Sequence, residues 1–528
     1  MTGDPSGDAD RPDAGRPDPD GADPDGADPS DIAWDAGNLG LPEASVAEPI
    51  DDPTGEIAAA TADLDEDIPP GTTGVVPDAP PLSLQVVESL LDRRRSEVQI
   101  SPTLDRIAAL LDLLGNPQTS YPVIQIAGTN GKTSTARMID ALLDRSGLRA
   151  GRFTSPHLQL VTERIAVDGA PISAERYVEF YTDIAPYIEL VDAASERAGG
   201  LPLSKFEILT AMAYAAFADV PVDAAVVEVG LGGTWDSTNV VDAKIAVITP
   251  VGIDHTDYLG DTLTEIAGNK AGIIKPDSIA VVGPQEQEAM TAILRRTIEV
   301  DAFVARFGSE FSVIDRAFAV GGQRLTLQGL GGVYEDIFLP LAGEHQATNA
   351  AVALAAVEAF FGAGANRQLD IAAVQDGFAA VASPGRLERV RTSPTIMVDA
   401  AHNPHGATAL AAALSQEFAF SRLVGVLAVM ADKDARGILE ALADSFDEVV
   451  VTRNSSARSM PVTELADLAI DVFGEEKVHV AGRMDEAIAL AVDLVEAGAY
   501  DVAGTGVMIT GSVVSAGDGR SLTGLAPA

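Results

Sequence analysis

The chain has 528 residues, and 79 Asp and Glu against 35 Lys and Arg give a formal charge of −44, which argues against a nucleic-acid binder with its basic face. Cysteine is absent, which excludes disulfides, thiolate nucleophiles and cysteine metal sites, while the length and the 46% hydrophobic content predict two or more cores. No charged-then-apolar leader opens the chain and charge interrupts every long apolar stretch, so we expect a cytoplasmic protein, neither secreted nor membrane-inserted.

Residues 1–84 hold 21 acidic and 2 basic residues and include the near-repeat DPDGADPDGADPSD. With so little to bury, this segment cannot offset its ordering entropy and is expected to be a disordered acidic tail. It would act as a solubilising bristle or a partner-binding segment. From residue 85 the texture is α/β. Helical patterns such as PTLDRIAALLDLLG and AERYVEFYTDIAPYIELVDAASERAG alternate with short apolar runs: VIQIAG, AAVVEVG, IAVITPVG and SIAVVG. Such runs between helices predict parallel strands buried on both faces. Residues 303–340 alternate instead, which predicts antiparallel hairpins appended to the main sheet. A break at ASPGRLERV sets a boundary near 383/384, after which a second α/β series follows: TIMVDAAHN, LVGVLAVM, EVVVTRN, VHVAG and GVMITGS.

Chemistry concentrates where such sheets place their loops. IQIAGTNGKTS (124–134) reads strand, glycine-rich turn, helix. Its backbone amides and the free amides of the next helix form an oxyanion site, Lys132 adds charge for the outer phosphates, and Thr133 offers a hydroxyl to Mg²⁺. Ile126 stands where a full Walker A motif has glycine. Glu228 ends the run AAVVE, and a carboxylate there would be costly to bury unless paired or metal-bound. His255, beside Asp254 and Asp257, follows another strand, and Ser155 and His157 follow a third. Glu228, His255 and a hydroxyl, with phosphate oxygens, would suit Mg²⁺.

Lysine is scarce, with seven against 28 arginines, so Lys270 in IAGNKAGIIKP is conspicuous before an apolar stretch. Either it is buried and unprotonated, open to modification, or it snorkels to solvent. The second half supplies Arg386, Asp399, His402 and His405, which could close on phosphates bound by the first. Pro404 between the histidines favours a helix start over a histidine metal pair.

Together GTNGKTS, TSPHL, ERI, EVGLGG, GIDHTDYLGDTLTEIAGNKAGIIK, GEHQATNAAVALA, GRLE and DAAHNPHG resemble the folylpolyglutamate synthase and dihydrofolate synthase branch of the Mur ligases, from about residue 85 to the end. The tail has no counterpart in that pattern. The resemblance implies a P-loop Mur-ligase-type central domain (85–383) and a Rossmann-like glutamate-ligase domain (384–528). It implies an ATP-dependent amide ligase that phosphorylates a carboxylate and lets glutamate's amine displace phosphate. ATP would fall to Asn130, Gly131, Lys132, Thr133 and Ser134, with Asn349 near adenine and Arg386 and Asp399 from the second half; His402 would approach the phosphates. Mg²⁺, two ions by analogy, would fall to Ser155, Glu228 and His255, and Lys270 matches a lysine that becomes carbamylated. Ser204, Lys205, Phe206 and Glu207 resemble the pterin-side segment, with Phe206 able to stack on a flat ring or serve the core. Thr234 and Trp235 stand where bacterial relatives often read Arg-Leu, so they could recognise the substrate differently.

The implied substrates are dihydropteroate, reduced folates and L-glutamate, taken by a monomer with both ligase activities or only the polyglutamate one. A cell-wall or cyanophycin-type ligase shares the P-loop, Glu and His, but TSPHL and DAAHNPHG favour the folate branch. A P-loop switch would need only the first motif.

Overall fold

Four of the apolar runs form strands whose every residue, or all but one, is buried. In the computed structural model, which describes residues 82–95, 101–362, 364, 367–497 and 504–527, they belong to one eight-stranded sheet. The acidic tail expected over 1–84 lies outside the described residues except for Leu82, Ser83 and Leu84. Ser83 caps the helix Leu84–Asp92.

Val123–Ala127 is central in that sheet, flanked by Ala224–Glu228 and Ile245–Ile248. Ile279–Val282 and Phe303–Arg306 extend one side in parallel, and Ala150–Phe153 the other. Ile165–Val167 and Ala170–Pro171 complete it antiparallel. Side chains alternate across the strands. Ile124, Ile126 and Val226 pack with Met138 and Val352 of the helices Lys132–Arg145 and Glu344–Phe360. Val123, Ala225 and Val227 face the other way, towards Tyr177, Tyr214 and Phe217. Helices cover both faces, as buried parallel strands require.

The reading of 303–340 needs correction in part. Phe303–Arg306 is a parallel edge strand, because the helix Gln287–Glu299 carries the chain back across the sheet as a crossover. The hairpins start later, at Ser312–Ala319, Gly322–Gln328 and Val333–Leu339, and form a separate three-stranded antiparallel sheet. Leu325, Leu327, Tyr334 and Ile337 on its inner face join the same core as Ile124.

The second series forms a six-stranded sheet in the order Glu388–Thr392, Thr395–Val398, Thr505–Thr510, Arg422–Leu427, Glu448–Val451, Val478–Val480. Only the first pair is antiparallel. Pro384 and Gly385, the latter at φ 71°, stand just before its first strand. Among the described residues no helix is long and apolar enough to cross a membrane.

Candidate active site

The carboxyl ends of the central strands of both sheets meet at one cavity of about 610 Å³. Val123–Ala127 delivers the loop Gly128–Gly131, and Gly131 caps the 14-residue helix Lys132–Arg145. Both glycines are obligatory here. Gly128 lies at φ 150°, where a Cβ would fall 1.8 Å from Thr249 Oγ1, and Gly131 at φ 87°, where one would fall 2.6 Å from Asn349 Oδ1. The helix N-terminus therefore opens onto the cavity with its first amides uncovered. Lys132 Nζ donates to the carbonyls of Gly128 and Thr129, both at 3.2 Å. Burial lowers its pKa, against the opposing pull of Glu228. Ser134 reaches Ser383 Oγ at 3.0 Å and Gln346 at 3.4 Å, and Asn349 donates to Gln346 at 3.1 Å.

Glu228 is 1% exposed. Thr133 Oγ1 donates to its carboxylate, 3.0 and 2.9 Å from the two oxygens, and the Ser155 amide lies 3.4 Å away. No ion pair satisfies this carboxylate among the described residues, and burial raises its pKa. A buried carboxylate beside a hydroxyl and a phosphate-type loop is a hard-oxygen donor set that fits Mg²⁺. Lys270 is buried and does not snorkel: Nζ donates to the Gly128 carbonyl at 2.9 Å. Burial first, then the Lys132 charge, pushes its pKa down to about 7.

His255 departs from the expected ligand pose. It sits at φ 55° ahead of the turn Thr256–Leu259, and Nε2 faces the Lys433 ammonium at 3.1 Å. Burial and that ammonium hold its pKa at about 4. Sequence reasoning missed Lys433, which lies between two aspartates in ADKD and reads there as a solvated turn. Its Nζ also donates to Asp254 Oδ1 at 2.8 Å, and Asn403 Nδ2 donates to Asp254 Oδ2 at 3.0 Å. Asn403 and Asn130 exchange amide hydrogen bonds of 3.1 and 3.2 Å, and Asn130 Nδ2 donates to His405 Nδ1 at 2.8 Å. These contacts join loops of the two sheets.

From the second sheet, Asp399 accepts from the amides of Leu387 (2.9 Å) and Ala401 (2.8 Å), pinning the connection that bears Arg386 to the end of Thr395–Val398. His402 Nδ1 lies 3.0 Å from the Ala400 carbonyl, and burial lowers its pKa to about 4, so the ring is neutral with Nε2 free to accept. Asn403 caps the helix Pro404–Glu417, so Pro404 does start a helix between the histidines.

A second cavity of about 1210 Å³ adjoins the first, and Ser155, His255 and His402 line both. Ser204, Lys205, Phe206, Glu207 and Trp235 line the second. The polar atoms of that segment are engaged within the protein. Ser204 and Glu207 form a capping box, Glu207 pairs with Arg106 at 3.0 Å, and Lys205 donates to Asp92 at 2.6 Å. Phe206 is 9% exposed, its ring 5.8 Å from Phe153, and a Cβ on Gly230 would fall 2.5 Å from its Cζ. Thr234 lines neither cavity; its hydroxyl donates to the Asn269 carbonyl at 3.0 Å. His157 lines the second cavity but accepts from Arg164 Nε at 3.0 Å, and burial holds its pKa at about 3.

Residues 205–357 match the Mur ligase middle domain, and residues 385–513 the Mur ligase glutamate ligase domain. The dihydrofolate synthase/folylpolyglutamate synthase of Mycobacterium tuberculosis is 57% identical over 472 residues, covering 86% of this chain and 97% of that protein. The chain belongs to the dihydrofolate synthase/folylpolyglutamate synthase family. A family member of the same name from Escherichia coli is 33% identical over 347 residues, 65% of this chain and 76% of its own. Among solved structures, Mycobacterium tuberculosis folylpolyglutamate synthase complexed with ADP matches with a TM-score of 0.81 at 57% identity, over 84% of this chain and 99% of that one. Escherichia coli FolC in complex with DHPP and ADP matches with a TM-score of 0.71 at 29% identity, over 84% and 97%.

Proposed function

We propose that this chain joins L-glutamate to dihydropteroate and to reduced folates at the expense of ATP, releasing ADP and phosphate. The observation that carries this reading is the pair of adjoining cavities with Ser155, His255 and His402 on the walls of both. One suits a triphosphate and the other an organic acid. Their junction is where a terminal phosphoryl group would meet a carboxylate.

The Gly128–Gly131 turn and the first amides of the helix Lys132–Arg145 hold the phosphates. Lys132 exchanges its two backbone carbonyls for phosphate oxygens, and Arg386 adds charge from the second half. A carboxylate oxygen of the acid attacks the terminal phosphorus, and the bond from that phosphorus to the bridging oxygen breaks, leaving ADP. The amine of glutamate then adds to the acyl carbon, loses a proton, and expels phosphate as the amide forms. Neutral His402, with Nε2 open, is placed to accept a hydrogen bond or that proton.

Thr133 and Glu228, with Ser155 beside them, would hold Mg²⁺. The ion supplies positive charge that offsets charge building on the phosphates. His255 would add to this set only with its Nε2 released from Lys433. The low pKa of Lys270 leaves a neutral amine available to take up carbon dioxide as a carbamate. Residues 85–383 and 384–528 act as two domains whose closure keeps water from the acyl phosphate. This one chain supplies every residue named, so a monomer suffices.

Mass analysis of products from dihydropteroate and from tetrahydrofolate, each with ATP and glutamate, tests the reading. Both acids should gain glutamyl units, and ADP release should require acid and glutamate together. Product from only tetrahydrofolate would reduce the activity to polyglutamylation; ADP release indifferent to both would leave an NTPase.

A further inference from the structure

The loop that carries Ser155 is tied to the second sheet at a point outside both cavities. The Glu163 carboxylate gathers this loop by accepting from the amides of Leu158 (2.8 Å), Gln159 (3.1 Å) and Leu160 (3.0 Å). Gln159 lines neither cavity and turns its side chain to the helix Val513–Leu522 and the residues after it. Its Nε2 donates to Ser521 Oγ and to the Leu525 carbonyl, both at 3.1 Å, and its Oε1 accepts from Arg520 Nε at 2.8 Å. Both ends of the side-chain amide are thus engaged. The backbones meet here too: a Cβ on Gly517 would overlap the Leu158 carbonyl oxygen, so loop and helix fit in one register.

Arg520 carries the connection on. It is 4% exposed, and its guanidinium pairs with Glu388 through Nη1 while Nη2 donates to the Ala526 carbonyl at 2.7 Å. Glu388 Oε2 accepts at 2.7 Å from the amide of Gly385, the residue before Arg386. Arg386 lines the smaller cavity, and Ser155 lines both. A buried guanidinium left without one partner is costly, so these contacts stand or fall together.

We infer that Gln159 and Arg520 are positioning residues that, through Glu388, hold Ser155 and Arg386 in register across the two sheets. The inference rests on the ligase reading above, in which Ser155 stands beside the metal and Arg386 adds charge to the phosphates. Neither Gln159 nor Arg520 touches a substrate. Their effect is on the geometry of phosphoryl transfer, where a misplacement of about 1 Å costs up to about a hundredfold.

The test is steady-state kinetics with dihydropteroate, ATP and glutamate. Gln159→Met keeps the length without the bonds and should lower kcat about tenfold, with KM for all three substrates within about twofold and the melting temperature little changed. Gln159→Glu keeps the acceptor for Arg520 Nε and should recover most of kcat. Glu388→Ala should also lower kcat, and the double variant with Gln159→Met should lose no more than the worse single one, since both cut the same connection. Should Gln159→Met fail to fold, Ser521→Ala removes one bond at an exposed position and must show a smaller loss of the same kind. Unchanged kcat in folded Gln159→Met, a loss confined to KM, losses that multiply in the double variant, or an equal loss in Gln159→Glu overturns the inference. Wild-type protein that glutamylates neither dihydropteroate nor tetrahydrofolate defeats the ligase reading instead, before any variant is made.

Discussion

The two adjoining cavities differ in what builds them. The smaller is walled by backbone in special conformations, Gly128 and Gly131 at positive φ, and by the buried ionisable side chains of Lys132, Lys270 and Glu228. The larger has about twice the volume, and its polar walls are already paired: Glu207 with Arg106, Lys205 with Asp92, His157 with Arg164. Beside them the cavity exposes apolar area, at Ile253 and Tyr258 among others. A triphosphate is gripped by amides and charges, which demand particular residues at particular spacings. A flat acid is gripped by shape and area, which many sequences can supply.

The sharpest way to break this contrast is Lys132→Ala. It should lower turnover about a thousandfold, as losing a charged donor to a transferring group does, with the melting temperature little changed. Assays of glutamylated product would read it, and near-normal turnover would remove the smaller cavity from the chemistry. Glu228→Gln should come next, costing about a hundredfold and shifting the Mg²⁺ requirement upward in a metal titration of the rate. Indifference to metal concentration in that variant would take the ion away from Glu228.

Gly230→Ala probes the other side. The new Cβ would stand 2.5 Å from Phe206 Cζ, so the ring, which lines the larger cavity, must shift. We expect about a tenfold rise in KM for the acid and none for ATP, measured by steady-state kinetics. Equal effects on both would mean the cavities do not divide the substrates. The smallest effect concerns Lys270, whose amine loses its proton near pH 7 rather than 10.5. Only the neutral amine forms a carbamate, so at constant dissolved carbon dioxide a ¹³C carbamate signal should grow several-fold from pH 6 to pH 8. A lysine of ordinary basicity stays protonated across that window and gives no signal.

The same contrast explains what was legible beforehand. VIQIA, AAVVE, IAVI and IAVV announced buried parallel strands because short apolar runs rich in Val and Ile between helices suit strands covered on both faces. GTNGKTS announced its loop because glycine and lysine at that spacing serve few other ends. Phe303–Arg306 was misread, because a strand's direction is set by the preceding crossover, which lies outside its own four residues. Thr234 looked like a substrate contact by alignment of motifs, yet hydrogen bonding to Asn269 turns it from the cavity. Lys433 carried no local signal: a lysine between aspartates reads as surface until the second sheet is in place.

The reciprocal amide pair of Asn130 and Asn403, together with the Lys433–Asp254 contact, has a thermodynamic consequence for an incoming nucleotide. Those groups satisfy one another, so any ligand group that bonds Asn130 must first part it from Asn403. At roughly 0.5–1.5 kcal/mol net for each bond, parting the pair alone weakens the apparent affinity by about an order of magnitude. Asn403→Ala should therefore tighten nucleotide binding, read as a lower Kd for ADP in a titration.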